Sequence, residues 1–252
     1  MSGHDTNDLG QPIGQPVSGD FPRPTPPYTP MDGQYCSVVP LDVNRHAPGL
    51  YRAFANDTDG RNWTYLPYGP FESEHDFVEW TRATCMDADP MFHTVLDENE
   101  TPVGMASFLR IEPAAGAIEV GHIHFSPLLQ RSPTSTETMY LMMRRVFDEL
   151  GYRRYEWKCD ALNAASCQAA ERLGFTFEGI FRQATHYKGR NRDTAWYSIL
   201  DSEWPRIKSA FEAWLSPDNF DQTGQQRQSL QARAKDSGSV GNPEFHRHVD
   251  RD

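Results

Sequence analysis

Positive charge is scarce in this chain of 252 residues: 24 Lys and Arg stand against 35 Asp and Glu, a net charge of -11. Proteins that hold nucleic acid cluster cations along the phosphates, so this balance argues against a nucleic-acid partner. Long apolar runs are missing too. No stretch of about 18 apolar residues occurs, the length a helix needs to cross a bilayer. The opening residues MSGHDTNDLG carry neither the basic stretch nor the apolar core of a secretory signal. A cytoplasmic location with no membrane partner is the expectation. Cysteine is sparse as well: Cys36, Cys85, Cys159 and Cys167 lie far apart with no C-x-x-C spacing. That argues against a zinc knuckle or a disulfide framework and for reduced thiols.

Apolar residues make up 38% of the chain and aromatic ones 12%, enough for a packed core, while the 19 prolines and 18 glycines crowd towards segments with little apolar content. Residues 1–32 hold Pro22, Pro24, Pro26, Pro27 and Pro30 among Gly, Gln and Asp, a composition expected to leave a disordered arm because it buries too little to offset chain entropy. Residues 218–252 are polar, and a flexible tail is expected there, with Phe245 as one side chain able to dock. One folded domain over 33–217 remains.

Within it, apolar spacing and turn residues predict an alternating order of elements. A strand at Cys36–Leu41 is followed by helices at Pro48–Ala55 and Ser73–Thr84. A hairpin of His93–Leu96 and Val103–Ile111 turns at Asp97–Glu100, and a strand follows at Ile118–Phe125. The longest helix is placed at Ser135–Leu150, with Met139, Met142, Met143, Val146 and Phe147 on its apolar side. Strand Tyr155–Cys159, helix Ala164–Leu173, strands Phe175–Glu178, Arg182–Tyr187 and Thr194–Leu200, and helix Trp204–Leu215 complete the series. The pattern describes an α/β domain with a mixed, mostly antiparallel sheet flanked by helices.

Chemistry concentrates after the strand Ile118–Phe125. Thr134 and Glu137 fit an S/T-x-x-E capping box, and a capped helix start presents free N–H groups and a dipole suited to a pyrophosphate. Arg131 and the hydroxyls of Ser132, Thr134, Ser135 and Thr136 add donors there. A Ser/Thr-rich helix start is equally able to satisfy only its own backbone. Strict alternation along the strand puts Glu119, Gly121, Ile123 and Phe125 on one face and Val120, His122 and His124 on the other. The pair His122 and His124 suits proton removal near neutrality. As a metal site it lacks a third ligand at any fitting spacing, so no metal is expected. Trp63, Tyr65, Tyr68 and Phe71, fixed by Pro67, Gly69 and Pro70, either line a recognition pocket or pack on the core. The run Lys188–Asp193 reads as a solvated, charged hairpin turn. Cys167 reads as core packing.

A later series, Asn163-Ala164-Ala165-Ser166, then Arg172-Leu173-Gly174-Phe175, then Glu178-Gly179 and Arg182, resembles the second half of the RimJ/RimL-type branch of the GNAT acetyltransferases. Ile118 to Gly121, Pro127, Gln130 and Thr136-Glu137 fall where that family carries its fourth strand, its acetyl-CoA pyrophosphate loop and its third helix, and the likeness spans about residues 36–215. The resemblance implies a V-shaped split between strands 4 and 5 that takes the pantetheine of acetyl-CoA. It implies cofactor contacts at Phe125, Gln130, Arg131, Ser132, Thr134, Ser135, Thr136 and Asn163. Ser166 would be the acid at the CoA sulfur and Glu119 the base, with His124 a rival; Trp63, Tyr65, Tyr68 and His122 would face the acceptor. The family's loop usually carries glycines where this chain has Arg131 and Pro133, which puts one backbone donor in doubt. The expected activity is N-acetyl transfer to a primary amine, either a protein N-terminus or a small molecule; the alternative is a non-catalytic acyl-CoA-binding or regulatory module. Net acidity points weakly to a cationic acceptor such as a polyamine. A homodimer is compatible with the sequence.

Overall fold

The computed structural model of the chain describes residues 5–230; Phe245 lies outside that range. Seven strands make the body of one sheet: β1 Ser37–Pro40, β2 Met91–Leu96, β3 Pro102–Glu112, β4 Ala117–Phe125, β5 Arg154–Asp160, β6 Thr176–Tyr187 and β7 Arg190–Leu200. Their order is β1-β2-β3-β4-β5-β7-β6, with the two-residue strand Met31–Asp32 added beside β1. Every pairing is antiparallel except that of β4 with β5. That parallel pair is short, running from Ala117 opposite Arg154 to Val120 opposite Trp157. Past it the two strands part, and the sheet opens as a V.

Helices cover both faces. α1 (Val43–Phe54) buries Val43, His46, Ala47, Leu50 and Phe54, the spacing of one helical face. Together with α2 (Glu74–Thr84) it closes a core over Phe92 and Met105. On the opposite face α3 (Pro133–Arg144), α4 (Ala164–Arg172) and α5 (Trp204–Leu215) pack on Ile118, Val120, Tyr155 and Trp157. α1 starts earlier than its proline suggested, because Asp42 caps it by accepting from the N–H groups of Asn44 and Arg45, a stronger start signal than Pro48 in its middle. The predicted strands Phe175–Glu178 and Arg182–Tyr187 are one long strand, β6, which keeps pairing through an irregularity beside Gln183.

The predicted capping box is not formed. α3 begins two residues sooner, with Ser132 as its cap and Pro133 in its first turn, where the fixed φ of proline suits a helix. Glu137 turns away from the helix start and its carboxylate accepts the N–H groups of Gln34, Tyr35 and Cys36 at 2.7, 2.6 and 2.9 Å. It fixes the approach to β1 at a site only 4% exposed.

Residues 5–32, part of the segment 1–32 expected to be a disordered arm, lie against the domain through a few side chains. Tyr28 Oη donates to the Phe92 carbonyl at 2.8 Å. Arg145 donates to the carbonyls of Pro27 and Pro30, and Met31 is buried in the main core. Composition misses this because the contacts are single anchors rather than a periodic face. At the other end, Asn219 Nδ2 donates to the carbonyls of Trp214 and Gln228, and Phe220 stands edge-on to Tyr35 and Trp214. The start of the expected tail therefore folds back on α5.

Candidate active site

The V between β4 and β5 joins two cavities, one on each face of the sheet. The cavity beside α3 and α4 measures about 1040 Å³ and the one on the α1 face about 830 Å³, the size range of small-molecule sites. Ser166, Asn163, Trp157, Tyr65 and Ile123 border both. A molecule lying through the split would thus touch both spaces, and Ser166 stands where they meet.

Seven of the eight residues assigned to the cofactor border the α3-side cavity: Phe125, Gln130, Arg131, Ser132, Ser135, Thr136 and Asn163. Thr134 does not, since its hydroxyl points towards the Tyr35 carbonyl at 3.5 Å. The loop before α3 is built by local bonds. Ser126 accepts from the N–H groups of Leu129 and Gln130, Gln130 Nε2 donates to the Phe125 carbonyl at 2.8 Å, and Ser132 Oγ donates to the Leu129 carbonyl at 2.6 Å. Arg131 takes the left-handed conformation with φ 59°, so the chain turns there without the family's glycine. The backbone N–H groups of Arg131, Ser132 and Thr134 make no hydrogen bond among the described residues, which leaves donors at the helix start although Pro133 supplies none. Arg172 of α4 donates to Thr136 Oγ1 at 3.1 Å and lies over the Trp214 ring. The sequence reading did not foresee that Trp214, Phe220, Gln225 and Gln226 wall this cavity. Their part becomes visible only once the chain after α5 is seen to fold back.

The α1-face cavity holds the charged groups. Glu119 Oε2 accepts from Arg110 at 2.7 Å and from Lys158 at 2.8 Å. Lys158 also reaches Glu156 at 2.7 Å and sits 3.8 Å from the Trp196 ring centre. Alternation on β4 fails at His122, which adopts φ 50° where the three steps of β4 from Gly121 to His124 span the two steps from Ser107 to Met105 on β3. Such a bulge inserts one residue and resets which side chains share a face. Glu119 and His122 consequently border the same cavity, while Val120, Ile123 and Phe125 face the α3 core. The expected grouping of Glu119 with Ile123 and Phe125 is corrected by that extra residue.

His122 Nδ1 lies 3.3 Å from Tyr68 Oη. Burial, with the charges of Arg110 and Arg192 adding to it, pushes the imidazole down to about 4. His124 is 2% exposed and stacks on Phe54 at 3.8 Å, with Trp63 edge-on at 4.0 Å. Both of its ring nitrogens lack a partner, and burial pushes it down to about 3. Of the residues assigned to the acceptor, Tyr65 and His122 border the cavity. Trp63 and Tyr68 pack instead against Phe54, Phe71 and Trp80.

Ser166 is placed by two bonds. Its backbone N–H donates to Asn163 Oδ1 at 3.1 Å, the helix cap, and its Oγ accepts from Trp157 Nε1 at 3.0 Å. Since the indole can only donate, the hydroxyl proton of Ser166 is free for another acceptor. Cys159 and Cys167 stand beside it as thiols with sulfurs 3.6 Å apart. Among the described residues no group of three metal-binding side chains occurs, and no helix is long and apolar enough to cross a membrane.

Residues 38–176 match the model of the acetyltransferase (GNAT) domain. No curated protein sequence matches the chain. Among solved structures, a GCN5-related N-acetyltransferase from Brucella melitensis is 45% identical with a TM-score of 0.82, the match covering 83% of this chain and 96% of that one. A probable acetyltransferase of the GNAT family from Chromobacterium violaceum is 42% identical with a TM-score of 0.72, over 77% of this chain and 98% of that one. The microcin C7 self-immunity acetyltransferase MccE, solved with acetyl-CoA and AMP, shares the fold at 19% identity and a TM-score of 0.59, over 67% of this chain and 93% of that one. A sheet split between β4 and β5, a helix start opening on one cavity and a family match that runs through both place this chain among the GNAT acetyltransferases.

Proposed function

We propose that the chain moves an acetyl group from acetyl-CoA to a primary amine by direct attack within a ternary complex, as a member of the RimJ/RimL-like branch. The observation that carries this reading is Ser166 at the junction of the two cavities, with its Oγ held by the Trp157 indole, a bond that does not use the hydroxyl proton. Support for the branch comes from the N-x-x-S and R-L-G-F series; the fold is also shared, at 19% identity, with a structure described as a ribosomal-protein-serine acetyltransferase from Vibrio cholerae. The α3-side cavity would take the nucleotide portion of acetyl-CoA. The N–H groups of Arg131 and Ser132, the Arg131 side chain and the hydroxyls of Ser135 and Thr136 would meet the pyrophosphate, and Asn163 the pantetheine arm. The amine would enter from the α1 face, bordered by Tyr65 and His122.

An amine attacks only when neutral, and the departing thiolate needs a proton. Ser166 Oγ would give that proton to the CoA sulfur. Glu119 would take the amine's proton through water at Oε1, the oxygen not engaged by Arg110 or Lys158. His124 drops out of this scheme, since its ring is enclosed between Phe54 and Trp63. Glu119→Gln should cost about 100-fold in kcat, a usual loss for a general base, and should flatten the acid limb of the rate–pH profile. Lys158 keeps Glu156 as partner and Arg110 is largely exposed, so the variant strands no buried charge. An unaltered profile would pass the base role to His122 or solvent.

Calorimetric titration with acetyl-CoA, run beside thiol release against a panel of amines, tests the whole reading. Saturable binding with amine-dependent release supports the transferase. Binding without release favours the acyl-CoA-binding module, for which Arg131 and Pro133 in place of glycine are the motivating departure. Absence of binding overturns both.

A further inference from the structure

Among the described residues, Arg192 borders the α1-face cavity with no carboxylate paired to it. Arg192, Thr194 and Trp196 alternate along β7 and all border that cavity. Arg110 and Lys158 engage Glu119 and Glu156. Asp160 accepts the Tyr187 hydroxyl at 2.8 Å and the Leu162 N–H at 2.9 Å. Arg192, by contrast, makes no ion pair and no side-chain hydrogen bond among the described residues, and its Nε is buried without a partner. Its guanidinium carbon lies 6.0 Å from the centre of the Tyr187 ring, at the limit of a cation–π contact. The hairpin Lys188–Asp193 is thus more than a solvated turn: Lys188 Nζ donates to the Trp63 carbonyl at 2.7 Å, and Arg192 faces the acceptor space.

A half-buried guanidinium with no counter-charge is costly, and its planar fork matches a carboxylate or phosphate in two parallel bonds. It borders the cavity together with His122, where its charge adds to the burial that disfavours the imidazolium. Resting on the acetyltransferase reading above, we infer that Arg192 is an anion subsite for the acceptor, and that the acceptor is a small zwitterionic amine whose carboxylate pairs with Arg192 while its amine is presented to the split at Ser166. A carboxylate fits better than a phosphate dianion, because Glu112, Glu119, Glu156 and Asp160 border the same space and would repel a second negative charge. The chain's net charge of -11, which taken as a whole favours a cationic acceptor, is overruled locally by this one unpaired arginine.

The test uses matched amines with the wild-type protein and Arg192→Ala. Each common amino acid is compared with its amide, O-phosphoethanolamine with ethanolamine, and spermidine serves as the polycation. Acetylation is followed by thiol release. The wild type should favour the free amino acids over their amides, and Arg192→Ala should raise KM for the acids by about 10- to 100-fold, the worth of a charged hydrogen-bond pair, with kcat little changed and the amides unaffected. Arg192→Lys should recover part of that loss, since it keeps the charge but not the fork. Because Arg192 holds no partner, the variants should melt with the wild type; a lowered Tm would make Arg192 structural and overturn the proposal. Preference for phosphoethanolamine would keep the subsite but replace carboxylate by phosphate; preference for amides or spermidine would overturn it. Calorimetry of the amino acids against the protein saturated with CoA separates the two readings. Arg192-dependent binding without transfer would sink the transferase and leave the subsite. Transfer indifferent to both carboxylate and Arg192 would sink the subsite alone.

Discussion

Ser166→Ala should lower kcat by about 1000-fold while leaving the affinity for acetyl-CoA nearly unchanged. The size follows from the role: protonating a leaving group in the transition state contributes roughly 100- to 10,000-fold, and the hydroxyl of Tyr65, which also borders both cavities, gives its proton to the Leu162 carbonyl at 3.1 Å. Affinity should survive because Ser166 contributes only one hydroxyl to a cavity walled also by Gln130, Arg131 and Thr136. The loss has a structural component to separate. Trp157 Nε1 gives its hydrogen bond to Ser166 Oγ, so the alanine leaves that N–H without a protein partner, a cost of about 1–3 kcal/mol if water does not enter. Trp157→Phe removes the donor instead and keeps the hydroxyl. If Trp157→Phe retains most of the rate while Ser166→Ala loses it, the proton and not the packing is what Ser166 supplies. Steady-state kinetics with varied acetyl-CoA, and a calorimetric Kd for each variant, provide the readout. Full turnover by Ser166→Ala would remove the residue from the chemistry.

The layered α/β architecture was legible because it is written in periodicity. Leu50 and Phe54 on α1, and Met139, Met142 and Met143 on α3, repeat at helical spacing, and those side chains are the core. The interior of the site was less legible, for three physical reasons. A bulge is a backbone event: nothing in Glu119 to His124 announces that His122 takes a positive φ, yet that one residue decides that Glu119 and His122 share a cavity. Long-range partners are also silent. Glu137 sits three residues after Thr134, as a capping box requires, but the N–H groups of Gln34, Tyr35 and Cys36, about a hundred positions earlier, outcompete the helix start for its carboxylate. Finally, Arg192 looked solvated because its neighbours in sequence are charged, whereas in space it lies beside Tyr187 and borders a cavity along with Thr194 and Trp196. A signal was present in the alternation Arg192-x-Thr194-x-Trp196, which marks one face of a strand rather than a turn. Trp63 and Tyr68 err in the opposite direction. Their Pro/Gly-fixed loop suited recognition, but apolar area won and drew both rings into the α1-face core.

Acidification from pH 7 to pH 5 should destabilise the fold by about 2 kcal/mol for each of three histidines, roughly 6 kcal/mol in all, by proton linkage. His93 is enclosed on β2 with Nδ1 3.1 Å from the Met91 carbonyl. Burial pushes it down to about 4, His122 to about 4 and His124 to about 3. The unfolded chain titrates them near 6.5. A group whose folded value is depressed lends full stability above the unfolded value and loses it as pH falls. The window is therefore pH 6.5 down to about 4, where unfolding takes up as many as three protons that the fold excludes. Carboxylates held low by ion pairs, such as Glu178 beside Arg154, act in the same direction but below that window. Urea unfolding between pH 7.5 and pH 5 measures the slope, and His124→Phe isolates one contribution. The phenyl ring keeps the stack on Phe54 and removes two unpartnered nitrogens, so the variant should equal or exceed the wild type at pH 7 and lose about one proton from the slope. A slope unchanged by His124→Phe would mean that the imidazole is charged or water-linked in the fold. The same neutrality bears on function: with His122 and His124 uncharged through the neutral range, Arg110, Lys158 and Arg192 face the acceptor space, and among the described residues Arg110 and Lys158 hold a carboxylate while Arg192 does not. A bound carboxylate at that position should raise Tm at every pH at which the fold persists and, by offsetting the Arg192 charge that helps hold His122 neutral, should soften the acid slope, which ties the stability measurement to the acceptor site.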